Sequence, residues 1–472
     1  MAKKKYELGL IGLGVMGRNL LLNMADSGFA VAGYDKDPKQ VDALSEEAKK
    51  HDIFGAKTIK QFVNSLESPR RILLLVPAGK IVDYVIEDLM PLLDKEDIII
   101  DGGNSHFPDT EARQKSLEEK GIHFIGMGVS GGAAGARLGP SMMPGGNRKA
   151  YGKIKKIMEA IAAKVDGEPC ITYLGQGSVG HYVKMVHNGI EYGLMQLLGE
   201  SYDVMNRGLK LSNPKISNHF FEWNENELDS FLVEITASIF KKKQKGDKKY
   251  LIDLILDASK SKGTGKWTSQ SAMDLGIPVP TIDIAVGTRY LSRLKEERVA
   301  ASKILKGTSF KIKTDDKDDF VTKIRSTLYF CFIVTYAQGM AQLREASSEY
   351  KFKLNLEKVA RIWRGGCIIR AALLEDFRKA YDRDPKLANL MVDKDIAKKL
   401  RYLQPDVREV ITACIQAGLP VAAMMSCLSY YDGYRSERLS ANLIQAQRDF
   451  FGSHSYERVD TSGIFRTDWK ED

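Results

Sequence analysis

Tyr6 to Ile11 is a short apolar run that feeds directly into Gly12-Leu13-Gly14-Val15-Met16-Gly17, and no other stretch of the chain constrains its fold as tightly. A helical pattern follows through Leu20, Leu21, Met24 and Ala25. Strand, glycine turn and helix in this order open a dinucleotide-binding βαβ unit. The first glycine permits the tight turn, the second lets backbone approach a pyrophosphate, and the third allows close packing of helix on strand, with phosphate at the helix N-terminus. A second apolar run, Ala30 to Tyr34, ends at Asp35, the distance expected for an acid that hydrogen-bonds the adenosine ribose. A plain strand-turn-helix has the same glycines; the acid at this spacing is what favours a dinucleotide.

Further apolar runs at Arg71–Val76, Asp97–Asp101 and His123–Gly128 alternate with helical segments. Such alternation predicts right-handed βαβ units and a mostly parallel sheet, so residues 1–178 are expected to form a Rossmann-like doubly wound α/β domain. Ligands bind beyond the carboxyl ends of such strands. Those ends hold Val76-Pro77-Ala78-Gly79, Asp101-Gly-Gly-Asn104-Ser105 and Val129-Ser130-Gly131-Gly132. From Val179 the strand signals fade, which predicts an all-helical domain over 179–445 and a C-terminal tail over 446–472. An internal repeat at an offset of 140 residues matches Gly199 with Gly339 and Phe220-Phe-Glu-Trp223 with Ala360-Arg-Ile-Trp363.

In Lys184-Met-Val-His187-Asn188-Gly-Ile-Glu191-Tyr192 the polar residues recur at helical spacing. At roughly 100° per residue they share an arc of about 140° on one face. A solvated surface helix would show the same pattern. The repeat argues otherwise: Lys184, His187 and Glu191 fall on Ile324, Thr327 and Cys331, so a helix in that place packs without those polar groups. Two more segments stand out as either surface loops or ligand contacts: the basic, glycine-rich turn Lys260–Trp267, which lacks P-loop spacing, and Ala446–His454 before a polar tail.

Net charge is +9 with the basic residues dispersed, which favours small anionic ligands over nucleic acid. Five cysteines show no CxxC pair and no metal spacing, as expected of a reduced, cytoplasmic protein without a metal. The start Met1-Ala-Lys-Lys-Lys and its apolar run mimic a signal peptide, but the run breaks at Gly12, and no apolar stretch is long enough for a membrane.

Seven motifs in order resemble the decarboxylating 6-phosphogluconate dehydrogenases of the β-hydroxyacid dehydrogenase superfamily, over almost the full length. They are Gly12–Gly17, Asp101–Ser105, Gly128–Gly132, Gly139-Pro-Ser-Met-Met-Pro-Gly-Gly146, Lys184–Tyr192, Lys262-Gly-Thr-Gly-Lys-Trp267 and Gln447–His454. The resemblance implies oxidative decarboxylation of 6-phosphogluconate to ribulose 5-phosphate in the pentose phosphate pathway, without a metal. It implies Lys184 as general base and Glu191 as the acid that protonates the enediol. Ser130, Gly131, Gly132, His187 and Asn188 would hold the carboxylate and hydroxyls, with Asn104 close by; Tyr192, Lys262, Thr264 and Arg289 would hold the phosphate. Arg448 and His454 would come from the partner's tail, which implies a homodimer. Gly12, Leu13, Gly14, Val15, Met16, Gly17, Tyr34, Asp35, Lys36, Val76, Pro77, Ala78 and Asn104 would face NAD or NADP.

Three departures from the family pattern stand out. Asp35-Lys36-Asp37 stands where NADP users carry Asn-Arg-Thr, Pro77 replaces a lysine, and Ala133 replaces a glutamate. A carboxylate at 35 repels a 2′-phosphate, which predicts a preference for NAD, with Lys36 leaving NADP admissible. Two rivals stay open: a related dehydrogenase for another β-hydroxyacid, which would not need Lys262, Arg289 and Arg448, and a non-catalytic dinucleotide-binding protein, which would not need Lys184 and Glu191.

Overall fold

The computed structural model describes residues 4–49 and 51–469, so Met1–Lys3 of the leader-like start and the last three residues of the expected tail lie outside it. The first third of the chain builds a seven-stranded sheet in the order β3-β2-β1-β4-β5-β6-β7. These are β1 Leu8–Ile11, β2 Val31–Tyr34, β3 Ile53–Ala56, β4 Arg71–Leu74, β5 Ile98–Asp101, β6 His123–Ser130 and β7 Ser141–Gly146. The first six run parallel, and β7 pairs antiparallel with β6, Ser130 facing Ser141. Helices cover both faces, so strands such as Leu-Gly-Leu-Ile and Ile-Ile-Ile-Asp are apolar up to the closing Asp101 and buried residue by residue. Two apolar clusters fill the two sides of the sheet.

β1 starts two residues later than the apolar run, because Tyr6 makes only an isolated bridge to Leu66. β3 and β7 were not foreseen. β3 is three half-buried residues and the buried Ala56 at the sheet edge, and β7 contains Pro144, Gly145 and Gly146, which speak against a strand until β6 supplies the ladder.

From Val179 onwards the chain is helical. The 25-residue helix Val179–Asp203 packs along the 33-residue helix Lys317–Glu349 in one large core. Their close approach needs glycine: a Cβ on Gly339 would lie 2.5 Å from the Ile190 side chain, and one on Gly193 would lie 2.6 Å from that of Thr335. The repeat shows as helix order, with Val179–Asp203, Asn213–Asn224 and Phe231–Lys241 answered by Lys317–Glu349, Leu356–Trp363 and Leu373–Arg383. The helix Ala441–Gly452 carries the start of the expected tail, and a short hairpin, Tyr456–Glu457 with Ile464–Phe465, follows it. Among the described residues no helix is long and apolar enough to cross a membrane.

Candidate active site

The glycine loop is built as its spacing requires. Gly12 has φ +103°, and a Cβ there would stand 2.4 Å from the Leu75 carbonyl oxygen. A Cβ on Gly17 would strike the Gly12 oxygen at 1.9 Å, whereas the space over Gly14 is open. The helix Val15–Asp26 therefore begins with no side-chain cap, its free N–H groups available to an anion. A cavity of about 460 Å³ adjoins it, lined among others by Tyr34, Asp35, Lys36, Asp37, Val76, Pro77 and Asp88. Asp35 is held in place: Oδ2 accepts from the Leu13 N–H at 2.7 Å and Oδ1 from the Asp37 N–H at 2.9 Å. Leu13 is buried, Met16 is half-buried, and Val15 and Ala78 are exposed. An open cradle, an uncapped helix start and a fixed acid fit a nicotinamide dinucleotide.

At the end of β5, Asp101 accepts from Ser105 Oγ at 2.6 Å and from the Gly103 N–H at 3.0 Å, closing the turn that presents the exposed Asn104. That turn is tied to the helix Val179–Asp203 through buried His181, whose Nε2 lies 3.1 Å from the Asp101 backbone carbonyl oxygen and whose Nδ1 lies 2.6 Å from Thr110 Oγ1. One turn on, Lys184 is 5 % exposed. Its neighbour across the junction is Gly128 of β6, where any Cβ would sit 2.3 Å from that of Lys184.

Around Lys184 the polar face comes together as expected. His187 Nδ1 lies 3.4 Å from Lys184 Nζ and 3.0 Å from Asn188 Oδ1, while Nε2 lies 3.2 Å from Ser130 Oγ. Ser130 Oγ also accepts from the Ile368 N–H at 3.4 Å, and the Trp363 ring meets His187 edge-on. Gly131 is left-handed at φ +112°, and a Cβ there would strike the Gly366 carbonyl at 2.6 Å; Gly132 is open on that side. Burial lowers Lys184 to about 8 against the pull of Glu191. Burial also raises Glu191, and it holds His187 well below its ordinary value. Desolvation disfavours every charged form here, so amine, imidazole and carboxyl all lean towards neutrality.

Further along, Tyr192 packs against Gly265, where a Cβ would be 2.4 Å from the ring, and the Arg289 guanidinium lies 3.4 Å from the ring centroid. Thr264 is buried at the start of the helix Thr264–Asp274, Lys262 is exposed just before it, and Thr268 Oγ1 donates to the Met185 oxygen at 2.9 Å. Arg448 and His454 are not brought to this cluster within the chain. Both are exposed; Arg448 donates to Gln445 and His454 stacks edge-on with Phe451. The sequence reading missed His181, though the spacing that singled out Lys184 extends one turn back to it. It also missed Trp363 and the Gly366–Ile368 segment, which only the fold brings beside Ser130.

A glycine-cradled dinucleotide fold joined to a helix with a buried lysine defines a two-domain nicotinamide-dependent dehydrogenase. Residues 7–175 match the profile described as the NAD binding domain of 6-phosphogluconate dehydrogenase, and residues 180–469 match that of its C-terminal domain. The chain belongs to the 6-phosphogluconate dehydrogenase family. It is 51 % identical over 98 % of its length to the NADP(+)-dependent, decarboxylating 6-phosphogluconate dehydrogenase of Bacillus subtilis, of which it covers 99 %. It is 48 % identical, again over 98 % of its length, to the decarboxylating enzyme of Escherichia coli, covering 99 % of that relative. The solved structure of the Plasmodium falciparum 6-phosphogluconate dehydrogenase superposes with a TM-score of 0.95 at 43 % identity, over 98 % of this chain and 100 % of that one.

Proposed function

We propose that this chain oxidises and decarboxylates 6-phosphogluconate to ribulose 5-phosphate and carbon dioxide, reducing a nicotinamide dinucleotide, as a cytoplasmic enzyme of the pentose phosphate pathway. The observation that carries the reading is the buried Lys184, lowered to about 8 beside a raised Glu191. A neutral amine there takes the proton of the C3 hydroxyl. The bound dinucleotide supplies the hydride acceptor for C3. The resulting β-keto acid breaks its C1–C2 bond; the electron pair moves to the C3 oxygen, which regains a proton from Lys184 and leaves an enediol. Glu191 then protonates the carbon that lost the carboxyl group, and the enediol proton returns to Lys184 as the ketone forms; Lys184 is left protonated and Glu191 ionised, and transfer of that proton from Lys184 to Glu191 resets both. Ser130, Gly131, Gly132, His187 and Asn188 hold the carboxylate and hydroxyls, with Asn104 nearby, and Tyr192, Lys262, Thr264 and Arg289 hold the phosphate. Arg448 and His454 reach the site of the partner in a homodimer.

NAD is the preferred cofactor in this reading, although the Bacillus subtilis relative is named for NADP and the Plasmodium falciparum structure is described with NADP+. Asp35, Asp37 and Asp88 line the adenosine-side cavity with Lys36 as its one cation among the described residues, a setting that disfavours a 2′-phosphate.

Absorbance at the reduced-nicotinamide band, with 6-phosphogluconate and either NAD or NADP at matched concentrations, tests both statements. Faster reduction of NAD supports them. Faster reduction of NADP keeps the reaction and overturns the role of Asp35, and no reduction by folded protein overturns the function. Lys184→Ala is expected to abolish turnover and leave cofactor binding nearly unchanged; normal turnover would remove Lys184 as the base.

A further inference from the structure

Between the start of the helix Arg148–Ile161 and the turn joining Lys317–Glu349 to Leu356–Trp363 lies a cavity of about 340 Å³. Arg148, Lys351, Lys353 and Lys358 line it together with Tyr173, and among the described residues no carboxylate does. An adjoining cavity of about 360 Å³ shares Arg148, Tyr173 and Lys358 and adds Lys155 and Glu159, which pair with each other at 3.7 Å. Among the described residues, none of the four cations of the first cavity has an ion-pair partner. The nearby carboxylates are taken: Asp166 and Glu168 bind Arg364, and Glu357 binds Arg361 and Arg378.

The backbone fixes this arrangement. Lys351 and Lys353 both have φ +56°, either side of Phe352, which is 7 % exposed and packs on Tyr182 and Tyr350. A Cβ on Gly175 would stand 2.6 Å from the Phe352 carbonyl oxygen, so glycine there lets this turn dock. Two helices start at the cavity, capped by Asn147 and Asn355, and their positive ends add to the field. Like charges that line one cavity without ion-pair partners repel, and a bound anion relieves the repulsion. The volume is that of a small-ligand site.

We infer that this cavity binds a small molecule carrying two or more phosphate groups, at a site separate from the Lys184 cluster, none of whose residues line it. The inference does not depend on which reaction the chain catalyses. Its test is calorimetric titration of inorganic pyrophosphate into the full-length protein at constant ionic strength, repeated with Lys351→Gly, Lys358→Ser and, for the other phosphate-binding region, Lys262→Ala. Glycine at 351 keeps the left-handed backbone and removes the ammonium, so a folding defect does not cloud the result. Saturable binding is expected, weakened on the order of tenfold by each of the first two changes. It should be little affected by Lys262→Ala, and the first two variants should keep normal turnover with the phosphogluconate substrate. Equal affinity in Lys351→Gly and Lys358→Ser, loss of the heat only in Lys262→Ala, or binding of a single-stranded oligonucleotide without binding of pyrophosphate would each overturn it.

Discussion

Lys184 and Glu191 lie on one face of one helix, and burial drives each towards its uncharged form. For Lys184 the displacement from 10.5 to about 8 corresponds to about 3 kcal/mol of disfavoured charge. The sign follows from which form reacts. A base must be unprotonated, so kcat/KM is expected to rise with pH through about 8 as Lys184 loses its proton. Initial rates across neutral and alkaline pH check this, and a profile flat through that range would contradict it. Glu191→Gln keeps the shape and removes the proton, so turnover should fall by roughly 10²–10⁴ while substrate binding persists; undiminished turnover would take the acid's role from Glu191. This face was legible in the sequence because helical spacing alone aligns Lys184, His187, Asn188 and Glu191. Ser130 was legible as a hydroxyl in a glycine turn, but its contact with His187 depends on how β6 meets the helix, and nothing local encodes that.

The meeting of β6 and β7 with the helix Val179–Asp203 is the element on which the site depends. Small residues make it: a Cβ on Gly180 would stand 2.2 Å from the Gly126 oxygen, and one on Gly145 would stand 2.5 Å from the Gly180 nitrogen. Gly128→Ala is accordingly expected to push Lys184 out of register. Overpacking of this kind costs roughly 1–3 kcal/mol, and a misplacement of about 1 Å costs about 10² in rate. Denaturant unfolding and kcat measured on the same variant check it; a variant as stable and as fast as the parent would show that the junction gives way freely. The buried parallel strands were legible as continuous apolar runs. β3 and β7 were not, since an edge strand of four residues and a Pro-Gly-Gly strand become strands through their neighbours rather than through their own pattern.

Over the whole molecule, a single chain leaves its last helix bare. Leu443, Ile444, Phe450 and Phe451 are each more than half exposed on Ala441–Gly452, and Leu291 and Ile304 on earlier helices, with Leu305 just after one, are as exposed. In the proposed homodimer this apolar surface is the one the second chain covers. Arg448 and His454 ride on and just after that helix, away from the hydrogen bonds around Lys184 in their own chain. If they serve the partner's site, two broken proteins repair each other. Lys184→Ala homodimers lack the base, and Arg448→Ala homodimers lack the tail's guanidinium. A heterodimer of the two holds one site with an intact Lys184 facing an intact Arg448, and one site with neither. Random exchange makes half the dimers mixed, so unfolding and refolding the two variants together should restore about a quarter of the parent activity. Tails that act on their own chain predict the opposite: every site keeps one defect, and the mixture is no more active than the average of the two variants refolded separately.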